Sequence, residues 1–145
     1  MTEKTGVNIA RVLLGGVVAG IIIFIINGIV NGGILNSDFE QWGREMGDRI
    51  HPPSQSISMS LWTVMCFIYG IVGVWIYACI RPRFGAGPKT ALLAALFLWV
   101  VSKFSVALDF IALGIFSDRI IAGQLIGSFV AIVLGIFLGA RLYKE

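Results

Sequence analysis

Five polar or ionisable residues interrupt otherwise apolar stretches and are the candidates for binding chemistry: Lys103, Asp109, Asn27, Asn31 and Gln124. Such side chains are costly inside a bilayer, so an intramembrane ionisable residue is a functional candidate by default. Counted from the basic residues at one boundary, Asn27, Asn31, Asp109 and Gln124 all fall about 24–30 Å along their helices at a rise of ~1.5 Å per residue. They predict one polar layer near the far boundary, which either joins helices by hydrogen bonds or forms a small pocket open to the outside.

Lys103 is expected deeper, about 20 Å along the same helix as Asp109. At uniform helical spacing it lies about 120° around that helix from Asp109, which is poor geometry for an ion pair. If Ser102, Ser105 and Asp109 form the interior face, Lys103 points toward the flank of the bundle. There it snorkels toward the interface, bends toward Asp109, or meets a group on another molecule.

Residue sets that catalyse reactions or bind metals do not occur in this sequence. His51 is the only histidine, and one histidine cannot form a typical metal site unaided. No Ser/His/Asp set, carboxylate pair, zinc signature or nucleotide-binding loop is present. We therefore expect no enzyme, no metal and no evident cofactor, and we leave bound lipid or pigment open. The net charge of +3 is too small and dispersed for a nucleic-acid partner.

Four long apolar stretches must position the polar residues. Hydrophobic residues make up 57% of the chain and charged residues 13%, against about 25% charged in an ordinary soluble domain. A spanning helix needs about 20 predominantly apolar residues. The sequence predicts a single all-α transmembrane domain over residues 1–145, a bundle of four helices spanning 9–35, 57–80, 90–116 and 120–142.

Basic residues predict the orientation of these spans, because cytoplasmic loops are enriched in lysine and arginine. They precede the first span, separate the second from the third, and follow the fourth, so both termini are expected in the cytoplasm. The residues are Lys4, Arg11, Arg81, Arg83, Lys89, Arg141 and Lys144. We also expect Arg81, Arg83 and Lys89 to lie at the membrane surface, close to anionic headgroups.

The first outer connection is predicted to contain an amphipathic helix over about residues 38–50. Ser37 and Glu40 have the spacing of a capping box, and apolar side chains recur on one face after it. We expect this helix to lie on the outer membrane surface with Trp42 as its anchor. It serves either as a lid packed on the end of the bundle or as a docking surface for a partner.

Small residues recur every four positions along the fourth span, which predicts close helix packing. The first span carries two pairs with the same spacing, including Gly16 and Gly20. The simplest partner for the fourth span is the first, and the alternative is a second copy or another subunit. The stripe consists of Gly123, Gly127, Ala131, Gly135 and Gly139.

The segment RPRFGAGPKTA, residues 81–91, resembles the second connection of a group of uncharacterised small bacterial four-helix membrane proteins. RVLLGG at residues 11–16 and GARLY at residues 139–143 are similar to the same group. The resemblance covers most of the chain and implies a bacterial inner-membrane protein, with no activity attached. Lys103 and Asp109 are atypical of the group, which suggests a role special to this chain.

Two functions follow from these observations. The leading prediction is a non-catalytic accessory or scaffolding subunit of a larger membrane complex, with an energy-transducing complex, photosynthetic or respiratory, as one candidate. Its partners would be membrane lipids and either other membrane subunits or a second copy. The alternative is a small transporter or ligand-binding membrane protein that uses the five polar residues. A filled surface beside Lys103 favours the subunit, and an internal cavity favours the transporter.

Overall fold

The computed structural model describes residues 6–143, and every regular element in that range is helical. Four helices are long and apolar enough to span a membrane, which confirms the predicted all-α chain with four spans. The first to fourth spans are Ile9–Ile34, Gln55–Phe84, Pro88–Leu113 and Asp118–Leu142. Lys4 and Lys144, which were used to predict orientation, lie outside the described residues.

The first span is the centre of the bundle and packs along both the second and the fourth spans. Its Gly16 and Gly20 lie against the second span, where a Cβ at Gly16 would come within 2.6 Å of the Ile71 Cα. Gly70 of the second span lies against the backbone of the same two glycines. Because glycine has no side chain, the two helix backbones approach closely here, and close packing of small residues is how helices associate in lipid.

The glycine and alanine stripe of the fourth span faces the first span, as Gly139 and Gly15 illustrate. A Cβ at either residue would come within 2.5 Å of the other residue's carbonyl oxygen. Farther along, Gly135 lies against Ile23, and Gly127 lies against Val30. Gly123 follows against Leu35, and Ala131 between these glycines is fully buried. The stripe therefore packs against residues of the same chain. Gly16 and Gly20 instead form the contact between the first and second spans.

The second span extends to Phe84 and is longer than the predicted 57–80 because the helix continues through Pro82. Proline removes only one backbone donor here, and the small residue Ala78 stands four positions earlier, where the ring would meet the chain. The helix ends at Gly85, whose φ of 81° favours glycine. Pro88 then occupies the first turn of the third span, where its missing N–H is harmless.

Two spans contain a π-helical turn, Val30–Ile34 in the first and Val100–Phe104 in the third. Each adds one residue to a turn of an otherwise α-helical span. In the first, Leu35 donates its N–H to the Val30 carbonyl, five residues back, at 2.8 Å. Such turns are rare and are frequent at functional sites.

A short helix, Asn36–Met46, follows the first span directly and continues as a 3₁₀ turn over Gly47–Arg49. We call Asn36–Met46 the cover helix and the bundle end where it lies the cover end. The predicted Ser37 capping box is wrong, because the helix begins at Asn36, two residues before the predicted start at residue 38, and Ser37 lies inside it. The Asn36 Nδ2 donates to Glu40 Oε1 at 2.9 Å. At the opposite end, the backbone N–H of Asn8 donates to the Tyr143 hydroxyl at 3.2 Å.

Candidate ligand-binding cavity

A cavity of about 450 Å³ lies between the second, third and fourth spans, beneath the cover helix. Its volume falls in the range of about 300–1,000 Å³ that is usual for small-molecule sites. Its walls are mainly apolar. Aromatic side chains come from the second span, the third span, the connection between the third and fourth spans, and the cover helix. The aromatic residues are Phe39, Trp62, Tyr69, Phe110 and Phe116.

Lys103 lines this cavity, and its ammonium nitrogen lies 4.5 Å from the centre of the Tyr69 ring. Among residues 6–143, no acidic side chain forms an ion pair with it. A lysine at the centre of a spanning helix costs about 2.5–3.5 kcal/mol on insertion scales. A cation–π contact stabilises the charge by about 0.5–2 kcal/mol. The intramolecular contact therefore leaves part of the cost of this charge uncompensated.

The π-helical turn explains why Lys103 faces inward, and the expectation that it points to the flank is wrong. In a straight α-helix Lys103 would stand about 140° around the axis from buried Leu98, five residues earlier. Five residues complete one turn at the π-helical segment, so Lys103 follows Leu98 on the interior face, and buried Ala107 comes next. The same extra residue turns Ser105 and Asp109 outward, where both are exposed.

Three members of the predicted polar layer come together beside the cavity. Gln124 Nε2 donates to Asn31 Oδ1 at 2.5 Å, and Asn31 Nδ2 donates to the Asn27 carbonyl at 2.8 Å. Asn27 is 8% exposed. Asp109, the fourth member, does not line the cavity and is separated from this layer by the rotation of its helix.

A second space of about 30 Å³ adjoins the main cavity on its polar side. It adds the side chains of Asn27, Asn31 and Cys66, and it shares with the main cavity those of Trp62, Met65, Tyr69, Lys103 and Gln124. This volume suits one water molecule or one small polar group. We call this space the polar niche. It places amide groups, a phenol and an ammonium group at one end of an otherwise apolar cavity.

The cover helix closes the cavity at the cover end. Trp42 Nε1 donates to the Ile115 carbonyl at 2.7 Å, and its ring lies 4.8 Å from that of Phe116. Phe116 in turn contacts Phe39 and Phe110, both of which line the cavity. Asp38 pairs with Arg119 at 3.4 Å. Trp42 thus packs on the bundle, as a lid requires, and its N–H is used within the chain.

Tyr69 and Trp62 are among the cavity residues that the sequence prediction missed. The signal was the spacing of Trp62, Met65 and Tyr69, which recur at i, i+3 and i+7 and therefore share one helical face. Trp99 and Ser128 were also missed: the indole N–H lies 3.1 Å from the Ser128 hydroxyl oxygen and joins the third span to the fourth.

The basic residues predicted for the membrane surface lie away from the cavity, at the opposite end of the bundle. Arg83 and Lys89 are exposed, whereas Arg81 is half-buried and stacks over the Tyr143 ring at 5.5 Å. Within residues 6–143 no cluster of three or more histidine, cysteine, aspartate or glutamate side chains has the geometry of a metal site.

No protein-family model matches this chain, and no curated protein or solved structure is significantly similar to it. The side chains of the cavity are therefore the basis for inferring a function.

Proposed function

We propose that this chain is a ligand-binding membrane protein whose cavity holds one amphiphile with a single negative charge. The observation that carries this proposal is the position of Lys103, the only charged side chain on the described walls of either space. It stands where an apolar, aromatic cavity meets the polar niche. A ligand with an anionic head and an apolar body complements both parts at once.

The charge balance of the cavity supports a monoanion. One ammonium group without an acidic partner in the described chain can neutralise one negative charge, and a charge-assisted hydrogen bond in a low-dielectric site is strong. The amide groups of Asn31 and Gln124 and the Tyr69 hydroxyl add polar contacts for the head. A cationic ligand would meet repulsion from Lys103, and a neutral alkane would leave the charge unpaired.

The proposed setting is a bacterial inner membrane with both termini in the cytoplasm. Basic residues support this orientation, since Arg11, Arg81, Arg83, Lys89 and Arg141 all belong to the bundle end opposite the cover helix. The resemblance of residues 81–91 to small bacterial four-helix proteins supports the choice of membrane. The cover helix would then lie at the outer membrane surface, and the cavity in the outer half of the bilayer.

Binding of three amphiphiles with the same twelve-carbon chain tests the proposal. Dodecanoate has an anionic head, dodecylphosphocholine a zwitterionic one and dodecyltrimethylammonium a cationic one. Native mass spectrometry of the protein in a neutral detergent should show saturable binding of dodecanoate alone. Replacing Lys103 by methionine should weaken that binding at least about tenfold, since a charged hydrogen bond is worth about 1.5–3 kcal/mol.

Lys89→Met is the matched control, because Lys89 is an exposed lysine in the same span and lies outside the cavity. It should bind dodecanoate like the parent protein. Equal binding of all three amphiphiles, or full binding by Lys103→Met, would show that the cavity does not recognise an anion through Lys103.

A second candidate function is the accessory subunit of a larger membrane complex, energy-transducing complexes included. The observation that favours it is Asp109, an exposed carboxylate in a spanning helix with no ion pair to any residue from 6 to 143. A basic group on another subunit would complement it. Native mass spectrometry after gentle extraction should then reveal other subunits, which Asp109→Asn should release. A lone chain in mild extracts would contradict this candidate.

A further inference from the structure

The cavity has two boundaries that a ligand could cross, the cover end and the gap between the second and third spans. The cover end is closed by side chains from three elements: the Trp42–Ile115 hydrogen bond, the aromatic contacts of Phe116 and the Asp38–Arg119 ion pair. A ligand arriving from water would have to separate these contacts.

The backbones of the second and third spans are separated along about half of the third span. The third span packs against the second over Pro88–Trp99, and from Val100 to Leu113 it makes no close backbone contact with it. The spans diverge at the π-helical turn that carries Lys103. Residues on the two sides of the gap line the cavity and keep more than a third of their surface exposed: Trp62 and Met65 on the second span and Val106 on the third.

We infer that the ligand is a single-chain lipid acid, such as a long-chain fatty acid, that enters sideways from the bilayer through this gap. This inference rests on the proposed function and adds the route and the ligand class. Its carboxylate would lie on Lys103 at the polar niche, and its chain would extend among the aromatic side chains. A volume of about 450 Å³ accommodates one hydrocarbon chain, and a two-chain phospholipid would leave most of its body outside.

The position of Lys103 suits a ligand already dissolved in the membrane. Lys103 precedes the end of its span at Leu113 by ten residues, or about 15 Å at ~1.5 Å per residue. A fatty acid whose head moves that far from the boundary gives up hydration, and the ammonium and amide groups replace those contacts. The gap lets its chain remain in an apolar environment throughout.

Stopped-flow fluorescence tests this route with the protein in zwitterionic vesicles and dibromostearic acid as the probe. Bromine quenches nearby tryptophan, and Trp62 lies on the cavity wall. The measurements use a Trp75→Phe background, because Trp75 is exposed on the apolar surface and would report probe in the bulk lipid. Trp62→Phe in that background should remove most of the saturable quenching.

Val106→Phe narrows the gap and should slow both loading and release at least tenfold, whatever the added ring does to the dissociation constant from its place on the cavity wall. Leu108→Phe is its control, because Leu108 is exposed at similar depth and does not line the cavity. It should exchange probe at the parent rate. Met65→Phe narrows the gap from the second span and replaces Val106→Phe if that variant does not fold.

A variant in the cover helix tests the alternative route, entry from the cover end. Trp42→Phe removes the hydrogen bond to Ile115 and should leave the loading rate unchanged. Faster loading in Trp42→Phe, with normal rates in Val106→Phe and Met65→Phe, would overturn the lateral route. Preferential retention of a brominated two-chain anionic phospholipid would overturn the ligand class. In either case dodecanoate binding that depends on Lys103 would persist. If the proposed function itself is wrong, that binding would not be observed.

Discussion

The ammonium nitrogen of Lys103 lies 4.5 Å from the centre of the Tyr69 ring, across the gap between the third and second spans. This contact joins two helices whose backbones have already diverged at that depth. It orders the lysine within the cavity and leaves its positive charge available to an anionic ligand, because the face of an aromatic ring carries no net charge.

Removing the Tyr69 ring should destabilise the protein through Lys103. We expect Tyr69→Leu to lower the free energy of unfolding by about 1–2 kcal/mol. Tyr69→Phe should keep a free energy of unfolding close to that of the parent, since phenylalanine preserves the ring face. Unfolding in mixed detergent micelles measures both. A double-mutant cycle with Lys103→Met should give a coupling energy of about 0.5–2 kcal/mol. Additive effects would indicate that the contact contributes nothing.

The hydrogen bond between Gln124 and Asn31 should show a similar coupling. Gln124→Leu leaves the Asn31 Oδ1 without its 2.5 Å donor, and we expect a loss of about 0.6 kcal/mol and at most about 1.7 kcal/mol, the mean and maximum found for hydrogen bonds between membrane helices. Replacing both residues by leucine should cost less than the sum of the single changes. A double variant that loses the full sum would contradict the pairing.

Close packing of the first and second spans should make Gly70 intolerant of any side chain. A Cβ there would overlap the Gly16 carbonyl oxygen and the Gly20 backbone, so Gly70→Ala should destabilise the protein by about 1–3 kcal/mol or more. Gly28→Ala is the control, since a Cβ at Gly28 meets nothing within 4 Å. The same unfolding assay should leave Gly28→Ala at or above the parent stability.

Trp42 should hold the cover helix on the bundle. Trp42→Phe removes the hydrogen bond to the Ile115 carbonyl, and amide hydrogen exchange in Asn36–Met46 should become faster by several fold. Arg44→Gln breaks only the exposed 4.0 Å pair with Glu40, and surface pairs of this kind contribute about 0–1 kcal/mol. Exchange in that control should stay close to the parent rate.

The extra residue in the π-helical turn should be removable. Deleting Val101 converts Val100–Phe104 to an α-helical turn and keeps Lys103 behind Leu98 on the interior face, now four residues later. We expect this variant to fold and to bind dodecanoate. Deleting Leu93 instead should be far more damaging, because it rotates Ala94 and Ala95, both fully buried, out of register. Equal damage from the two deletions would contradict the assigned register.

Much of the architecture is written locally in the chain. Continuous apolar stretches of this length predict the four spans, because a single segment in lipid can satisfy its backbone hydrogen bonds within itself only as a helix. The stripe of small residues in the fourth span predicts a closely packed neighbouring helix, and in the structure that neighbour is the first span. Spacing also places Asn31 and Gln124 at one depth, where the structure joins them.

The direction in which Lys103 points could not be predicted in this way. Uniform helical spacing put Lys103 on the flank on the condition that the face with Ser102, Ser105 and Asp109 was interior. With the π-helical turn at Val100–Phe104, Lys103 lines the cavity and Asp109 is exposed. The residues of that turn are ordinary helix formers, and nothing in their types marks the extra residue. One inserted residue rotates everything after it by about 100°, so a small local change decides which side chains line the cavity.

The amino-acid sequence by itself thus determined that the chain is helical, that four helices are long and apolar enough to cross a membrane, and roughly where in the chain they lie. These properties depend on the composition of each segment and on its own backbone hydrogen bonds. Only the tertiary structure decided which face of the third span looks inward, where the second and third spans part, and that Tyr69 meets Lys103. Those properties depend on packing between helices, whose energy is shared among residues far apart in the chain and is absent from any single segment.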